Sequence, residues 1–153
     1  MAGLPGAPLA PIPEITVEVA AGPGALAEEF VSETARCHWP ENMIRYEAGA
    51  APENLRILRV RGNSTEPEMR EGDRVVIDTS RRLPVTGEIF VLWDGHGLVV
   101  KHVEEVHGDQ GLMDEDQPRR LRLISAHPDC APYSRLAEEV HILGKVLWVV
   151  RRA

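Results

Sequence analysis

The sequence predicts a mainly β domain, an antiparallel sheet with a few short helical segments. Apolar, β-branched runs recur at close spacing, as in DRVVID (73–78), EIFVLW (88–93) and LRLIS (121–125). Short turn segments such as DGHG (94–97) separate such runs, which is typical of strands joined by hairpins. A hydrophobic content of 43% over 153 residues is enough for one core, so we expect a single domain.

The N-terminal part of the chain differs in composition from the rest. Residues 1–14 are rich in Pro, Ala and Gly, which predicts a hinge or linker, and the folded domain is expected over 15–153. ITVEV (15–19) alternates between apolar and polar residues, so it predicts a first strand. ALAEEFVSETAR (25–36) is compatible with a helical turn or with an irregular strand.

The middle and the C-terminal part of the chain supply the remaining elements. A short helix is predicted over 38–49, because Pro40 suits a first helical position and Gly49 the residue past a helix end. A polar loop is predicted over 107–120, and a bend at Gly144 within the last strand. Three further predicted strands are LRILRVR (55–61), GLVVKHVEEV (97–106) and VHILGKVLWVVRR (140–152).

Charge and cysteine content exclude several classes of function. A net charge of −7 argues against a chain that grips a nucleic acid by itself, since such proteins present a basic face. Two cysteines, Cys37 and Cys130, are too few for a disulfide framework, which indicates a reducing cytoplasm. No apolar run approaches the roughly 20 residues that a membrane-spanning helix needs, so we expect a cytoplasmic protein without a membrane contact.

One lysine stands out because the chain otherwise uses arginine for its cations. Lys101 and Lys145 are the only lysines in the sequence. Lys101 shares a strand face with Val99 and Val103, so its amine is expected to project from an apolar row. Burial disfavours an ammonium, and a neutral amine can take a proton from a hydroxyl. Lys101 is thus a candidate general base, although a lysine at a strand edge can also extend its head to solvent.

A serine in a sharp polar turn is the candidate nucleophile. Ser64 lies in GNSTEP (62–67), between two predicted strands. Gly62 and Asn63 allow a tight turn, whose backbone amides at Asn63 and Ser64 are candidates for an oxyanion hole. The alternative is that Ser64 only caps a turn, a common use of serine next to Gly and Asn.

The ordered series of these motifs resembles the C-terminal domain of LexA-like and phage repressors. The series consists of VRGNSTEPEMREGDRVVID (60–78), GEIFVLWDGHGLVVKHV (87–103), LRLISAHPDCAPY (121–133) and ILGKVLWVVRR (142–152). The resemblance implies a compact antiparallel β fold like that of LexA and signal peptidases. It also implies a Ser64–Lys101 dyad, since Lys101 follows Ser64 by the 37 positions that the family pattern requires.

Members of this family cut their own chain at an Ala-Gly bond upstream of the serine. The resemblance therefore implies a scissile bond between Ala21 and Gly22, preceded by a strand-like run. The alternative for this segment is a small-residue turn. A second Ala-Gly pair, Ala48-Gly49, lies at the predicted helix end and is the weaker candidate.

Two positions depart from the family pattern. Thr65 stands where the family has methionine, and His127 stands where it has asparagine. Neither change removes a catalytic atom, but together they leave open a catalytically silent dimerisation module.

The family also implies partners. The first partner is a second copy of the chain, in a homodimer whose contact could include Trp148. The second is a RecA-type filament, as inducer of the DNA-damage response. DNA is expected to be reached only through an N-terminal helix-turn-helix. The chain begins at the hinge, so we expect the C-terminal fragment of a repressor. A translesion-synthesis accessory protein resembling UmuD is the alternative.

No cofactor and no metal are expected. Cys37-His38 and His127-x-x-Cys130 offer four possible zinc ligands, but the two pairs are distant in sequence and lack a paired Cys-x-x-Cys spacing. A membrane signal peptidase shares the Ser-Lys chemistry but needs an anchor that the chain lacks.

Overall fold

The computed structural model describes residues 8–17, 31–59, 69–106, 118–125 and 129–153. Strands dominate these residues, which confirms the predicted mainly β class. The strands are β1 (Leu9–Val17), β2 (Val31–Pro40), β3 (Leu55–Arg59), β4 (Arg74–Asp78), β5 (Ile89–Trp93), β6 (Leu98–Val106), β7 (Arg120–Ile124), β8 (Tyr133–Leu136) and β9 (His141–Val150).

All nine strands belong to one sheet with the order β2-β1-β3-β4-β9-β5-β6-β7-β8. Neighbouring strands are antiparallel, with the exception of β1 and β3, which run parallel over a two-residue ladder. The sheet is therefore mixed rather than wholly antiparallel. β9, the last strand in the sequence, lies between β4 and β5 and joins the two halves of the sheet.

The first strand begins earlier than the sequence indicated. β1 starts at Leu9, within the segment interpreted as a linker, and pairs with β2 along its whole length. Ala10 and Ile12 are buried while Pro11 is exposed, so the side chains alternate as in any strand. The prolines are tolerated because β3 pairs with β1 only at Glu14 and Ile15. The division into 1–14 and 15–153 as separate units stays a prediction.

The segment after β2 forms the predicted helical turn, but with different bounds. Pro40 ends β2 instead of starting the helix, and a single π-type turn spans Met43–Glu47. Gly49 lies past its end with a φ of 61°, which confirms its predicted position. For the ambiguous stretch 25–36, residues 31–36 belong to β2, whereas 25–30 lie outside the described residues. Among the described residues, two short 3-10 turns complete the helical content, at Pro52–Asn54 and Ala137–Glu139.

Three clusters of buried apolar side chains hold the sheet together. The first cluster packs Ile12 and Ile44 against β3 and β4, and Trp39 stacks beside Trp148 at its margin, with ring centroids 5.0 Å apart. The second and third clusters occupy the two opposite faces of β5 and β6. The second cluster comprises Ile15, Leu58, Met69, Val75, Ile77, Val91 and Val100. The third cluster comprises Phe90, Leu92, Val99, Val103, Leu121, Leu123 and Val140.

The predicted bend at Gly144 coincides with an irregular part of β9. The pairing register of β9 shifts against β5 between Val91 and Leu92, and against β4 between Val76 and Ile77. A Cβ atom at Gly144 would lie 2.5 Å from the backbone oxygen of Asp78. The close approach of two backbones therefore requires glycine here. Within the described part of the chain, no helix has the length and apolar character to cross a bilayer.

Candidate active site

Lys101 lies at the centre of β6, where the sequence predicted it. The Lys101 side chain is 8% exposed, and its neighbours on the same face, Val99 and Val103, are 9% and 1% exposed. Both valines belong to the third cluster, so the lysine stem lies in an apolar layer. Among the residues that the structure describes, none donates to, accepts from or forms an ion pair with the Lys101 amine. The predicted apolar setting of the candidate base is thus present.

The chain's two lysines lie in one row across the sheet. Phe90 on β5 is directly opposite Lys101 on β6 and directly opposite Lys145 on β9, so the three side chains share one face. We call Lys145, Phe90 and Lys101 the lysine row. The two amines differ in their partners, because Lys145 Nζ lies 2.8 Å from Glu88 Oε1. Lys145 is therefore a paired cation, whereas Lys101 has no carboxylate partner among the described residues.

A buried carboxylate fixes the hairpin that presents Lys101. Asp94 starts the turn between β5 and β6, and its Oδ1 accepts hydrogen bonds from the amides of His96 and Gly97, each at 2.9 Å. Its Oδ2 accepts a hydrogen bond of 2.7 Å from the Tyr133 hydroxyl on β8. Burial by itself would raise the pKa of Asp94, but these three donors outweigh it and hold the pKa below its usual value. The turn predicted at 94–97 is confirmed.

Replacing Tyr133 with phenylalanine should weaken this hairpin in a pH-dependent way. Loss of one hydrogen bond to a buried carboxylate should lower the free energy of unfolding by about 1–2 kcal/mol near neutral pH. Because the native pKa of Asp94 is lowered, its contribution is present above the unfolded value near 3.9 and is lost as the pH falls through the native pKa. Urea denaturation of Tyr133→Phe and wild type should thus differ at pH 7 and converge in acid.

Tyr46→Phe is the matched control, because the Tyr46 side chain is 83% exposed. It should unfold like wild type at every pH. An undiminished difference between Tyr133→Phe and wild type in acid would show that the Tyr133 hydroxyl acts independently of the ionised Asp94 carboxylate.

Charged side chains bracket the segment that contains Ser64. Glu14 on β1 reaches Arg59 at the end of β3 at 3.6 Å and Arg74 at the start of β4 at 3.5 Å. Asp73, which precedes β4, accepts a hydrogen bond from the Arg70 amide at 2.9 Å and a fork of hydrogen bonds from Arg151. Hydrogen bonding by Arg151 is the main reason why the pKa of Asp73 is lowered. Both ends of the segment are thus fixed to the sheet.

Apolar packing fixes the same segment. Leu58 precedes it and Met69 follows it, and both are buried in the second cluster together with Val100. Val100 is the residue before Lys101 on β6 and projects to the opposite face. The ends of the Ser64 segment therefore pack in the cluster on the face of β6 opposite to Lys101.

The other predicted site residues fall outside the described residues. These are Ser64 with its amide neighbour Asn63, the Ala21-Gly22 bond, and the two departures Thr65 and His127. The dyad, the oxyanion hole and the scissile bond therefore stay predictions. The weaker cleavage candidate, Ala48-Gly49, follows the π-type turn, and Arg81 Nη2 donates to both of its carbonyl oxygens, at 3.3 and 2.9 Å.

Part of the predicted LRLISAHPDCAPY segment (121–133) lies beside the candidate base. Ile124 of this segment ends β7 and pairs with His102, which follows Lys101 on β6. A zinc site is not supported by the described residues, which contain no group of three or more His, Cys, Asp or Glu side chains placed to hold an ion. Glu88 was not predicted as a site residue from the sequence, because only the pairing of β9 with β5 places its carboxylate beside Lys145.

The described residues form a mixed β sheet that carries a buried lysine, without a carboxylate partner among them, on an interior strand. This setting is the one that a serine peptidase with a lysine base requires. Comparison with known proteins agrees with this class. The Peptidase S24-like family model matches residues 13–147, so the chain belongs to that family. The chain is also 29% identical over 142 residues to the 26 kDa repressor protein of Escherichia phage HK022. That match covers 87% of the chain and 54% of the repressor, so the chain spans about half the length of this relative.

Proposed function

We propose that this chain is the self-cleaving and dimerising part of a LexA-like or phage-type repressor. The observation that carries the proposal is the setting of Lys101, 8% exposed between two buried valines and without a carboxylate partner among the described residues. A lysine that acts as a general base must be free of a carboxylate partner that would hold its proton, and this setting meets that requirement. Family membership supports a peptidase of the autoproteolytic kind.

In the proposed reaction, the neutral Lys101 amine takes the proton of the Ser64 hydroxyl. The Ser64 oxygen attacks the carbonyl carbon of Ala21, while the amides of Asn63 and Ser64 stabilise the oxyanion. The Lys101 ammonium then gives its proton to the amine of Gly22, which leaves. Water, activated by the same lysine, hydrolyses the acyl-enzyme and releases Ser64.

The biological setting belongs to the same proposal. Cutting at Ala21-Gly22 separates an operator-binding part from the dimerising part. Transcription is thereby regulated in the DNA-damage response. The partners are a second copy of the chain and a RecA-type filament in the cytoplasm, with DNA contacted through an N-terminal helix-turn-helix. The repressor identity of the matched phage protein supports this setting.

Self-cleavage of the purified chain tests the proposal. Incubation from about pH 7 to about pH 10.5 should give two fragments that break at Ala21-Gly22, with a rate that rises with pH as the lysine base loses its proton. Ser64→Ala should stay intact at every pH. Intact-mass measurement identifies the bond that is cut.

An uncut wild-type chain at high pH would contradict the peptidase proposal. It would favour the silent dimerisation module, for which Thr65 in place of the family methionine is the supporting observation. Reversion of Thr65 to methionine is then the informative variant.

A further inference from the structure

We propose that Lys145 tunes the candidate base, by holding the Glu88 carboxylate away from Lys101. The inference rests on the proposed function for its meaning, since it assigns Lys145 as a positioning residue of that site. It concerns an electrostatic arrangement that can be measured without peptidase activity.

The register places Glu88 within reach of both lysines. Glu88 lies two residues before Phe90, so in the alternation of the strand it projects to the face of the lysine row. Phe90 is opposite both lysines, and Glu88 is therefore diagonal to each of them. Diagonal neighbours lie roughly 7–8 Å apart at Cα, a separation that glutamate and lysine side chains bridge.

The backbone of Glu88 is also fixed against the strand of the base. His102 Nδ1, on the residue after Lys101, lies 3.1 Å from the carbonyl oxygen of Glu88. Glu88 therefore cannot turn away from β6 without losing this contact. Its side chain lies within reach of both lysine amines, and it contacts that of Lys145 at 2.8 Å.

Burial explains why this choice matters. The side chains of Lys145 and Glu88 are 22% and 31% exposed, so their ion pair is partly solvated, whereas Lys101 is 8% exposed. An opposite charge within about 4–6 Å favours the charged form of a group, and more so where water is scarce. A carboxylate released next to Lys101 would hold it as an ammonium, which cannot act as a base.

Other charged groups on this side of the sheet have partners of their own or are cations. Asp78 pairs with Arg81, Asp94 accepts from Tyr133, and Glu105 pairs with Arg119. Arg82 lines a pocket beside the third cluster, and Arg135 lies over the ring of Tyr133. Among these carboxylates, Glu88 is the one that lies diagonal to Lys101 and whose described partner is the other lysine.

Lysine titration by nuclear magnetic resonance tests this inference directly. Lys145→Met and Lys145→Arg, each combined with Ser64→Ala to prevent cleavage, both leave Lys101 as the only lysine, so the side-chain signal of a lysine-labelled sample needs no assignment. Lys145→Arg keeps a cation for Glu88, and Lys145→Met releases the carboxylate. We expect the titration midpoint of Lys101 to lie about 0.5–1 pH unit higher in Lys145→Met than in Lys145→Arg.

The double variant Lys145→Met/Glu88→Gln separates the carboxylate from the loss of a cation. It should bring the midpoint most of the way back toward that of Lys145→Arg. Equal midpoints in Lys145→Met and Lys145→Arg would overturn the inference, and so would a raised midpoint that persists in the double variant. If Lys145→Met does not fold, the comparison of Lys145→Gln with Lys145→Gln/Glu88→Gln decides in the same way.

Self-cleavage adds a second, separable readout in chains that retain Ser64. Below the midpoint, Lys145→Met should cleave roughly three to ten times more slowly than Lys145→Arg at the same pH, and the two rates should converge at high pH. A shifted midpoint in a protein that never cuts itself would leave the electrostatic inference standing and refute the proposed function. Cleavage with identical pH profiles in both variants would support the proposed function and refute the electrostatic inference.

Discussion

Lys101→Arg should abolish self-cleavage at every pH up to about 10.5, although it keeps a cation at the same position. Arginine does not lose its proton in this range, so the Ser64 hydroxyl has no base. Removal of a general base typically costs a factor of about 10²–10⁴ in rate, and we expect a loss at the upper end because the same amine also protonates the leaving group. Intact mass after incubation at high pH measures the residual rate.

Arg122→Lys provides the matched control for this substitution. Arg122 lies on β7, next to β6, and its side chain is exposed. The reversed exchange there should leave the rate and its pH dependence as in wild type. If Lys101→Arg cut itself with the same dependence of rate on pH as wild type, Lys101 could not be the base, and the proposed dyad would be wrong.

Gly144→Ala should lower the free energy of unfolding of the domain much more than Gly97→Ala, which also adds a single methyl group. The added Cβ would lie 2.5 Å from the backbone oxygen and 2.9 Å from the carbonyl carbon of Asp78, and 3.2 Å from the Cα of Thr79. No side-chain rotation relieves a contact with backbone, so β4 and β9 must move apart at the centre of the sheet. Overpacking of this kind costs about 2–3 kcal/mol in the free energy of unfolding.

Chemical denaturation of Gly144→Ala and Gly97→Ala measures this effect with an internal control. A Cβ at Gly97 meets no atom within 4 Å, so that variant should unfold close to wild type. Asp78 on β4 is directly opposite Lys145 on β9 in the strand register. Separation of β4 and β9 should therefore also disturb the lysine row. Equal stability of the two variants would show that the close approach at Asp78 is absent in solution.

Local patterns predicted much of the sheet. The strands β3 to β7 and β9 follow from alternation and from turn residues, and the apolar setting of Lys101 follows from the valines on either side of it. The prolines in β1 concealed the first half of the strand predicted at 15–19, because their tolerance depends on the short ladder with β3. β8 was missed because its four residues, Tyr133–Leu136, gain their strand character only from β7.

The electrostatics of the candidate site could not be predicted in the same way. Glu88 and Lys145 are 57 residues apart in sequence, and they meet only because β9 lies beside β5. The Asp94–Tyr133 hydrogen bond likewise joins residues 39 positions apart. Sequence periodicity indicates which face a residue takes, but the identity of its neighbour across the sheet depends on the strand order.

The position of β9 also has a consequence for the assembly of the domain during synthesis. β4 and β5 do not pair with each other, and the strand that joins them is the last of the nine to leave the ribosome. Until residues 141–150 have emerged, the sheet can form only as two separate halves, β2-β1-β3-β4 and β5-β6-β7-β8, each with an exposed edge where β9 will pair. Closure of the sheet then depends on long-range pairing, which is slow in β proteins. A nascent chain therefore joins the two halves of the sheet, and completes the lysine row by placing Lys145 opposite Phe90, only at the end of its synthesis.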